Sequence, residues 1–511
     1  MRALIRNVLE QECSKHVQRH FDYLTQLHDY ARRRSLREGT NYVKRVHHPR
    51  WWDLCPQFNP FKVRSKKKLN TYSETLAEKL RSRDYKPQPA LIHHVPKKDG
   101  SLRRLNIFQI PDAAVSRLVY KSLLHKNVAR FSGYAYAYRE DKTAHDAVNE
   151  LFAEWKKLDR VYVAEYDFSK FFDEISHEYL WRVLDQNNFI VSPEERHVID
   201  AFLKSEACEY SNYPAKPEPR LKGIPQGTAV SLFLANIACW ELDRELERLG
   251  VGFCRYADDT AVWSEDYNRI VNAYYLIDEY SDKMGVPINL VKSQGIHLIS
   301  RTCGRAEISC KQSIDYLGYQ ISQKDVSIAD HRVAKIKERI SFLIYQNLIQ
   351  PLKIKGVFNK ARLIATLDLD YVTTLRQIRY YMYGGLTEDK LLQYIAGRVT
   401  NLHFRGVMSY YPIVTNIRQL AILDGWLIYV LRQSLKLRQR LWSRMGVSSL
   451  PGPTQDWIDR IERLGSVAVP SGHAVDLRIP RFTLINSAMR RAINRRGITA
   501  VASPLPGTYY P

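Results

Sequence analysis

Two adjacent carboxylates, Asp258 and Asp259, lie between two β-prone stretches in the run Phe253-Cys-Arg-Tyr-Ala-Asp-Asp-Thr-Ala-Val-Trp263. The pattern predicts two strands joined by a tight turn, with the acid pair at its tip. Burying two neighbouring carboxylates is costly unless a cation shares their site. A divalent ion such as Mg2+ suits oxygen ligands and keeps substrate phosphates in its shell. Because an exposed β-turn would explain an isolated pair, the interpretation depends on the rest of the chain.

The charge of the chain points to a polyanionic partner. Its 511 residues include 77 Lys and Arg against 54 Asp and Glu, a formal net charge of +23. The basic residues are spread among 32 Tyr, 17 Phe and 9 Trp, a mixture that suits a groove where cations hold phosphates and rings stack on bases. Nucleic acid is therefore favoured over a membrane surface, and no stretch approaches the roughly 20 apolar residues of a membrane span.

The seven cysteines form no Cys-x-x-Cys pair and are odd in number. This pattern argues against a zinc site or a disulfide framework. The start, Met1 to Arg6, lacks the apolar core of a signal peptide. We therefore expect a soluble, intracellular protein of the reducing cytoplasm, with roughly two to four domains for a chain of this length.

Hydrophobic periodicity predicts a mixture of helices and strands. A β-hairpin is expected over 88–110, a buried strand over 160–168 and a single long apolar helix over 228–248. The other predicted helices are 1–35, 112–129, 143–157, 177–186, 193–206, 267–284 and 482–495, with almost continuous helix from 330 to 445. Short strands are predicted at 295–299, 307–310 and 315–322.

A third carboxylate, Asp167, stands at the end of the predicted strand Arg160-Val-Tyr-Val-Ala-Glu-Tyr-Asp-Phe168. Capping the helix that follows would account for Asp167 alone. A strand-end acid and a hairpin-tip pair can, however, converge on adjacent edges of one sheet. Three carboxylates so placed could hold two metal ions, one at an attacking 3′-hydroxyl and one at a leaving pyrophosphate.

Between about residues 90 and 322, the chain contains seven motifs in the order found in reverse transcriptases, and it resembles that family. They resemble most those of the bacterial defence-associated and abortive-infection enzymes, which are related to group II intron and retron reverse transcriptases. The motifs are Pro96-Lys-Lys-Asp-Gly100 with Arg103-Arg-Leu105; Pro111-Asp112 with Arg117; Ser132 to Arg139, the fingers-to-palm segment; Asp167-Phe-Ser-Lys-Phe-Phe-Asp173; Gly223-Ile-Pro-Gln-Gly227 with Ser231 and Leu234-Ala-Asn236; Tyr256-Ala-Asp-Asp259; and Asn289 to Ser293 followed by Tyr316-Leu-Gly318.

The resemblance implies an α+β fold of the right-hand polymerase type, with fingers and a ferredoxin-like palm followed by a helical thumb and a C-terminal extension. The domains expected on this basis are an N-terminal helical, basic extension (1–70), fingers (71–160), palm (161–325), thumb with extension (326–450) and a C-terminal region (451–511). Basic thumb helices would grip a duplex by its phosphates. The fingers motif has Arg-Arg-Leu where intron enzymes commonly have Arg-Pro-Leu, so the phosphate contact stays open.

The resemblance also implies roles for single residues. Asp167, Asp258 and Asp259 would be catalytic and would bind two Mg2+ ions, with Mn2+ as an alternative and the Phe168 carbonyl contributing. Lys97, Arg103, Arg104, Phe172, Gln226 and Lys292 would bind the dNTP: the cationic hairpin would close over the triphosphate, Phe172 would exclude a 2′-hydroxyl and Lys292 would protonate pyrophosphate. Gly223, Pro225, Gly227, Tyr256, Tyr316 and Gly318 would contact template and primer, since glycines allow close backbone approach.

The leading hypothesis is an RNA-directed DNA polymerase that takes dNTPs, an RNA template and a DNA product. The resemblance adds a dedicated noncoding RNA and a role in antiviral defence. Two alternatives stay open: template-independent or protein-primed synthesis, with Tyr509-Tyr510 as one candidate primer, and a maturase-like RNA-binding scaffold with a vestigial palm. No membrane partner is expected, and the unmatched termini leave room for a homo-oligomer.

Overall fold

The computed structural model describes residues 1–97, 100–293, 295–301, 308–364, 367–446, 458–468 and 474–501. These residues form two compact units. Unit 1 contains Met1–Asp22 and His47–Ser313, and unit 2 contains Tyr23–Val46 and the described residues from Ile314 onward. The five predicted domains remain predictions within these two units.

Unit 1 is a mixture of helices and strands, as the sequence predicted. Its helices are α1 (Arg2–Glu38, which continues into unit 2), α2 (Trp51–Leu54), α3 (Pro60–Val63), α4 (Lys66–Ser82), α5 (Ile110–Asn127), α6 (Ala144–Trp155), α7 (Phe171–Glu174), α8 (His177–Gln186), α9 (Pro193–Leu203), α10 (Ala229–Ala238), α11 (Trp240–Leu249) and α12 (Tyr267–Met284). Its strands are β1 (Ala90–Pro96), β2 (Leu102–Ile107), β3 (Arg160–Tyr166), β4 (Ala207–Cys208), β5 (Gly252–Tyr256), β6 (Asp259–Ser264), β7 (Ile296–Ser300) and β8 (Cys310–Lys311).

The central sheet of unit 1 has the strand order β5-β6-β3-β7-β8. Strand β3 lies antiparallel to both β6 and β7, and β5 and β6 form an antiparallel hairpin. Its apolar face is covered by α12, which packs against β3 and β6. Because β3 is hydrogen-bonded on both sides and buried at Val161, Val163 and Ala164, it forms a fixed support for whatever follows its last residue.

A second sheet in unit 1 has the order β2-β1-β4. The β1–β2 hairpin confirms the prediction for 88–110, with Leu91 opposite Ile107 and Pro96 opposite Leu102. The base of β2 is joined to another loop, since the Asn106 amide donates to the Gln226 carbonyl (2.7 Å). This bond places the hairpin beside the Gly-Ile-Pro-Gln segment.

Helix starts in unit 1 follow from local sequence. Thr143 and Asp146 form a reciprocal capping box at α6, and Ser192 and Glu195 form another at α9, where Pro193 fills the first turn. Sequence periodicity predicted one helix over 228–248, but the structure breaks it at Cys239 into α10 and α11. The break coincides with a side-chain bond, because the Tyr179 hydroxyl donates to the Ala238 carbonyl (3.2 Å).

Unit 2 is mainly helical, as the sequence predicted for 330–445. Its helices are α13 (Asp330–Ile344), α14 (Gln350–Lys353), α15 (Leu369–Tyr383), α16 (Glu388–Ile395), α17 (Ile417–Arg444) and α18 (Phe482–Arg496), with a π-helical turn at Tyr345–Ile349. Its strands are β9 (Ser313–Tyr316), β10 (Tyr319–Ser322), β11 (Val326–Ile328), β12 (Leu363–Ile364), β13 (Leu367–Asp368), β14 (Ser466–Ala468) and β15 (Ala474–Asp476).

The core of unit 2 contains a buried ion cluster. The Arg438 guanidinium, 1% exposed, donates to Asp368 (2.7 Å) and to Asp370 (2.8 Å). A second arginine, Arg362, donates to the other oxygen of Asp370 (3.1 Å). Two acids and two arginines therefore compensate one another and tie α17 to the start of α15.

The cysteines differ in part from expectation. Cys13, Cys55, Cys208, Cys239 and Cys254 are buried free thiols, whereas Cys310 is disulfide-bonded. The sequence argued against a disulfide framework, and among the described cysteines Cys310 alone is disulfide-bonded. Helices in the described part of the chain are all too short or too polar to cross a bilayer.

Candidate active site

The acid pair lies at the tip of the β5–β6 hairpin, as its flanking strands predicted. Tyr256 pairs with Asp259, which leaves Ala257 and Asp258 as a two-residue turn. Ala257 has φ of 62°, a left-handed backbone conformation that favours glycine and is uncommon for alanine. Ala257 therefore adopts an unfavourable backbone conformation at the turn that carries the two carboxylates.

Asp167 lies beside this tip. Strand β3 ends at Tyr166, which pairs with Thr260 of β6. Asp167 follows directly, so along the same antiparallel register its position faces Asp259. Residues directly opposite in antiparallel strands have Cβ atoms about 5 Å apart. The sheet thus brings carboxylates that are distant in sequence to one edge.

The segment 289–293 holds Asp167 from a third side. The Asn289 amide nitrogen donates to the Asp167 carbonyl oxygen (2.8 Å), and the Asn289 side chain donates to Asp167 Oδ2 (3.1 Å). Lys292 Nζ donates to the same oxygen at 2.7 Å. The Ser293 hydroxyl accepts from the Asp167 amide (3.2 Å). Main chain and carboxylate of Asp167 are therefore both fixed.

The tip is short of positive charge. Burial, together with the charges of Asp258, Asp167 and Glu165, raises the pKa of Asp259 to about 7. Burial also raises the pKa of Asp258, with Asp167 adding to the shift. Lys292 lowers both pKa values without cancelling these effects. Like charges close together in a partly dry site disfavour ionisation, and a bound cation would remove that penalty.

The donor set fits a magnesium ion that shares its shell with a substrate. Across the described residues, no group of three or more His, Cys, Asp or Glu side chains is placed to hold a metal alone. Magnesium usually takes one or two carboxylates plus substrate phosphates. Asp167, Asp258 and Asp259 supply hard oxygen atoms, and burial with neighbouring acids raises the pKa values of Asp258 and Asp259. The metal-binding roles of these residues remain predictions.

The hairpin arginines point to different surroundings. Arg103 lies close enough to Asp258 for its charge to lower the pKa of that carboxyl. Arg104 instead pairs with Glu218 (3.0 Å), because neighbouring residues of a strand face opposite sides. Lys97 is exposed, and its amide and carbonyl close the turn through Ser101 and Gly100. Of these predicted dNTP contacts, Arg103 is the one beside the acids.

Phe172 lies where the Gly-Ile-Pro-Gln segment meets α7. Its ring is half-buried and packs edge-on against Phe171, with ring centroids 5.7 Å apart. Its carbonyl accepts from the Ile224 amide (2.6 Å). A Cβ at Gly223 would overlap the carbonyl oxygen of Asp173, so only glycine allows this approach. The backbone of Phe172, the residue predicted to exclude a 2′-hydroxyl, is thus fixed in position.

The rest of this segment also packs closely. Gln226 donates to Asp173 Oδ2 (3.3 Å). A Cβ on Gly227 would overlap the Asn106 carbonyl oxygen of β2. Pro225 is buried, whereas Gln226 is half-buried and Gly227 is exposed. Gly223 and Gly227 therefore lie close to the protein's own backbone. Their contact with a base pair of template and primer remains a prediction.

The remaining predicted contacts are scattered. Phe168 is buried and its backbone bridges Ile288, while Tyr256 is half-buried at the hairpin. Tyr316 and Gly318 belong to unit 2. Tyr316 is 1% exposed, and Gly318, with φ of 85°, completes the β9–β10 turn. Because the Tyr316 ring is buried, it cannot contact template or primer directly. It could affect their binding only by holding strand β9 in place.

Three residues singled out from the sequence, Lys98 and the pair Tyr509-Tyr510, lie outside the described residues. Two others were missed by the sequence interpretation. Glu165 lies two residues before Asp167 on β3, and that period-two spacing was the available signal. Arg255, next to Tyr256, is fully buried, and a charge inside an apolar strand was the signal that it needs partners.

Comparison with known proteins agrees with this geometry. Residues 95–321 match the family model described as reverse transcriptase (RNA-dependent DNA polymerase). The matched residues include the acid triad, the Gly-Ile-Pro-Gln segment and most of the β1–β2 hairpin. This part of the chain is therefore similar to reverse transcriptase domains.

Two curated proteins are distant relatives. Protein YkfC of Escherichia coli is 26% identical over 200 residues, covering 38% of this chain and 50% of YkfC. The putative COX1/OXI3 intron 1 protein of Saccharomyces cerevisiae is 24% identical over 179 residues, covering 34% of this chain and 20% of that protein. The chain thus spans half or less of these relatives.

Among solved structures, apo telomerase from Candida tropicalis superposes with a TM-score of 0.39 and 11% identity, over 77% of this chain and 65% of that chain. Telomerase from Candida albicans in complex with a TWJ fragment of telomeric RNA gives a TM-score of 0.37 and 11% identity, over 76% and 68%. Scores this low carry no weight for fold or function.

Proposed function

We propose that the reverse transcriptase domain at 95–321 makes this chain an RNA-directed DNA polymerase, which joins dNTPs by two-metal phosphoryl transfer. One observation carries the proposal: the register of β3, β5 and β6 places Asp167 beside the Asp258–Asp259 turn. The match to a reverse transcriptase model over the same residues supports it.

In this proposal Asp167, Asp258 and Asp259 hold two magnesium ions. Bound there, the ions would promote ionisation of a primer 3′-hydroxyl and neutralise charge on the departing pyrophosphate. The fixed main chain of Asp167 keeps its carboxylate from drifting, and positioning of reactants supplies a large part of catalysis in phosphoryl transfer.

Cationic side chains of the domain complete the site. Arg103, the hairpin arginine beside Asp258, binds the triphosphate. The Lys292 ammonium contacts Asp167 Oδ2. During the reaction it moves to the leaving pyrophosphate and donates a proton to it. The Phe172 ring faces the sugar and disfavours a 2′-hydroxyl.

Primer extension with purified protein tests the proposal. Asp258→Ala/Asp259→Ala should lower dNTP incorporation on a DNA-primed RNA template by at least about 1,000-fold, the scale seen when a core catalytic group is removed. RNA binding, measured by filter retention, should change little. The matched control is Glu279→Ala/Asp282→Ala, two exposed acids on α12. Incorporation by the double-alanine protein at the control rate would refute the site.

The biological setting is a further part of the proposal. Resemblance of the motifs to defence-associated enzymes supports a cytoplasmic antiviral role with a dedicated noncoding RNA, and the unmatched termini leave room for a homo-oligomer. Sequencing the nucleic acids that co-purify with the protein, before and after dNTPs are added, tests it. One enriched RNA and DNA copied from it are expected; a random sample of cellular RNA would contradict the dedicated template.

A further inference from the structure

Arg255 is a charged residue inside the most buried part of the β5–β6 hairpin. Its exposure is 0%, as is that of its neighbour Cys254. A guanidinium is rarely buried without partners because the loss of hydration is costly. Its bonds therefore show what this position requires.

The Arg255 side chain joins two helices to the hairpin tip. Its Nε and Nη2 atoms donate to the two oxygens of Asp243 on α11, at 2.7 and 2.6 Å. Its Nη1 atom donates to Asn236 Oδ1 on α10 (3.3 Å) and to the Ala257 carbonyl (3.0 Å). The first pair of bonds satisfies the charge, and the last reaches the turn that carries the acids.

The backbone around Arg255 is held as well. The Arg255 amide donates to the Tyr134 carbonyl, and the Tyr136 amide donates to the Arg255 carbonyl, each at 2.9 Å. The Asn236 side chain donates to the Ala137 carbonyl (3.0 Å). The fingers-to-palm segment, α10 and the hairpin thus share one hydrogen-bonded network.

The residue that receives the Arg255 bond has an unusual backbone. Ala257 has φ of 62°, and such conformations persist in non-glycine residues where their surroundings impose them. The peptide that Ala257 begins leads directly into Asp258. A bond to the Ala257 carbonyl therefore acts on the orientation of the Asp258 backbone and side chain.

We propose that Arg255 is a positioning residue, which holds the Ala257 carbonyl through the Asp243–Asn236 network and so sets the orientation of the Asp258–Asp259 turn. The proposal rests on the proposed function, since it assigns the turn a reaction to perform. It differs from a purely stabilising role of the Arg255–Asp243 ion pair, which would need no bond to the turn.

Helix α11 offers a matched control. Arg182 makes a two-pronged ion pair with Glu241, two residues before Asp243, at 3.3 and 2.9 Å. That pair links α8 to α11 and does not involve the hairpin. Losing it removes the same kind of interaction from the same helix.

The test compares Arg255→Met/Asp243→Leu with Arg182→Met/Glu241→Leu. Removing both members of an ion pair avoids an uncompensated charge, so each double variant should fold. The Arg255–Asp243 pair is fully buried, whereas the Arg182 side chain of the control pair is 39% exposed. Arg255→Lys is a further variant, because lysine keeps the charge but lacks the planar fork that reaches Asp243 and Ala257 together. Steady-state dNTP incorporation, melting temperature and hydrogen exchange of residues 252–264 are measured for each.

The Arg255 variants should lose about 10- to 100-fold in kcat, the scale of a misplacement near 1 Å, while KM for dNTP changes less than about three-fold. Amides of the hairpin should exchange faster, with melting temperature close to that of the control variant. A kcat of Arg255→Lys or of the double variant within about two-fold of the control would overturn the proposal.

Failure of the proposed function gives a different result. If the wild-type protein incorporates no dNTP, the polymerase proposal fails, and hydrogen exchange still reports on Arg255. Faster exchange confined to the hairpin supports positioning of the turn. Unchanged exchange in a folded Arg255→Met/Asp243→Leu protein refutes it whatever the activity.

Discussion

Unit 2 contains a pair of buried acids and unit 1 a pair of half-buried acids, and the surroundings of the two pairs differ. In unit 2, Asp368 and Asp370 receive bonds from Arg438 and Arg362. In unit 1, burial and neighbouring acids raise the pKa values of Asp258 and Asp259, while Lys292 lowers both and Arg103 lowers that of Asp258. Burial raises the pKa of Asp370 in unit 2 as well, against the charges of Arg438 and Arg362. The two pairs therefore differ in their bonds: arginines donate directly to the acids of unit 2, whereas Lys292 donates to Asp167, which lies beside the acids of unit 1.

The largest expected effect is on the compensated pair. Asp368→Asn/Asp370→Asn leaves Arg438 buried and without carboxylates, so the free energy of unfolding should fall by about 3–5 kcal/mol. Urea unfolding followed by circular dichroism measures it. Asp389→Asn is the control, since its ion pair with Arg478 is largely exposed on the Asp389 side and should contribute at most about 1 kcal/mol. Equal losses in the two variants would break the comparison.

The pair at the hairpin tip should respond with the opposite sign. Without magnesium at pH 8, Asp258→Asn/Asp259→Asn removes neighbouring half-buried like charges, so the free energy of unfolding should rise by about 2 kcal/mol. Magnesium chloride at 10 mM should stabilise the wild-type protein and not the variant. Thermal unfolding with and without the salt measures both effects. Destabilisation comparable to that of Asp368→Asn/Asp370→Asn would show that the two pairs are alike.

A third experiment asks whether the bulk of the Phe172 ring selects deoxyribose over ribose at the proposed active site. Phe172→Ala should relax discrimination against ribonucleotides by about ten-fold, since losing a ring opens space at a cost typical of steric specificity. Ratios of kcat/KM for dCTP and CTP measure the change. Phe171→Leu, at the buried neighbouring ring, is the control. Unchanged selectivity in Phe172→Ala would remove the gate assignment.

The smallest effect concerns a third buried acid, Asp112, whose partners are neutral. It accepts from the Tyr85 hydroxyl (2.8 Å) and the Gln88 amide (3.1 Å), and burial raises its pKa to about 7. A raised acid pKa means that the folded state binds the extra proton. Stability is therefore greatest below the unfolded pKa and falls as pH rises through 7.

Asp112→Asn removes this titration. The stability of the wild-type protein relative to Asp112→Asn should fall by about 1 kcal/mol between pH 6 and pH 8. Urea unfolding of both proteins at each pH measures the difference. A constant difference across this range would show that Asp112 does not titrate there, and would place it with the compensated acids.

Much of the site could be predicted from sequence because it depends on local pattern. A buried-strand pattern predicted β3, and the β-prone stretches around the acid pair predicted β5 and β6. The strand ends then indicated where Asp167 and the acid pair would lie. The break at Cys239 was not predictable, since α10 and α11 have continuous helical periodicity and the bond from Tyr179 comes from another helix. The partners of Arg255 were missed because Asp243 and Asn236 lie on two preceding helices, and only the packing of those helices brings them to the hairpin.

Roles that depend on an absent partner were beyond the sequence. The sequence interpretation named both Arg103 and Arg104 and preferred Arg103 as the phosphate contact. Strand geometry separates them, because the charge of Arg103 acts on Asp258 whereas Arg104 pairs with Glu218. Tyr316 is a similar case, since a tyrosine in a short strand is equally compatible with a ring that stacks on a base and with a ring buried in the hydrophobic core. Its burial in unit 2 is a fact of tertiary packing.

The tight contact between Gly227 and Asn106 limits how the β1–β2 hairpin can swing. With the Asn106 amide bonded to Gln226 and its carbonyl against the Gly227 Cα, the lower end of β2 is hinged to the same loop that supports Phe172. Any closure of Arg103 onto a nucleotide must bend the few residues between this pivot and the arginine. In the proposed function, the arc through which the Arg103 guanidinium can move toward a nucleotide is therefore short.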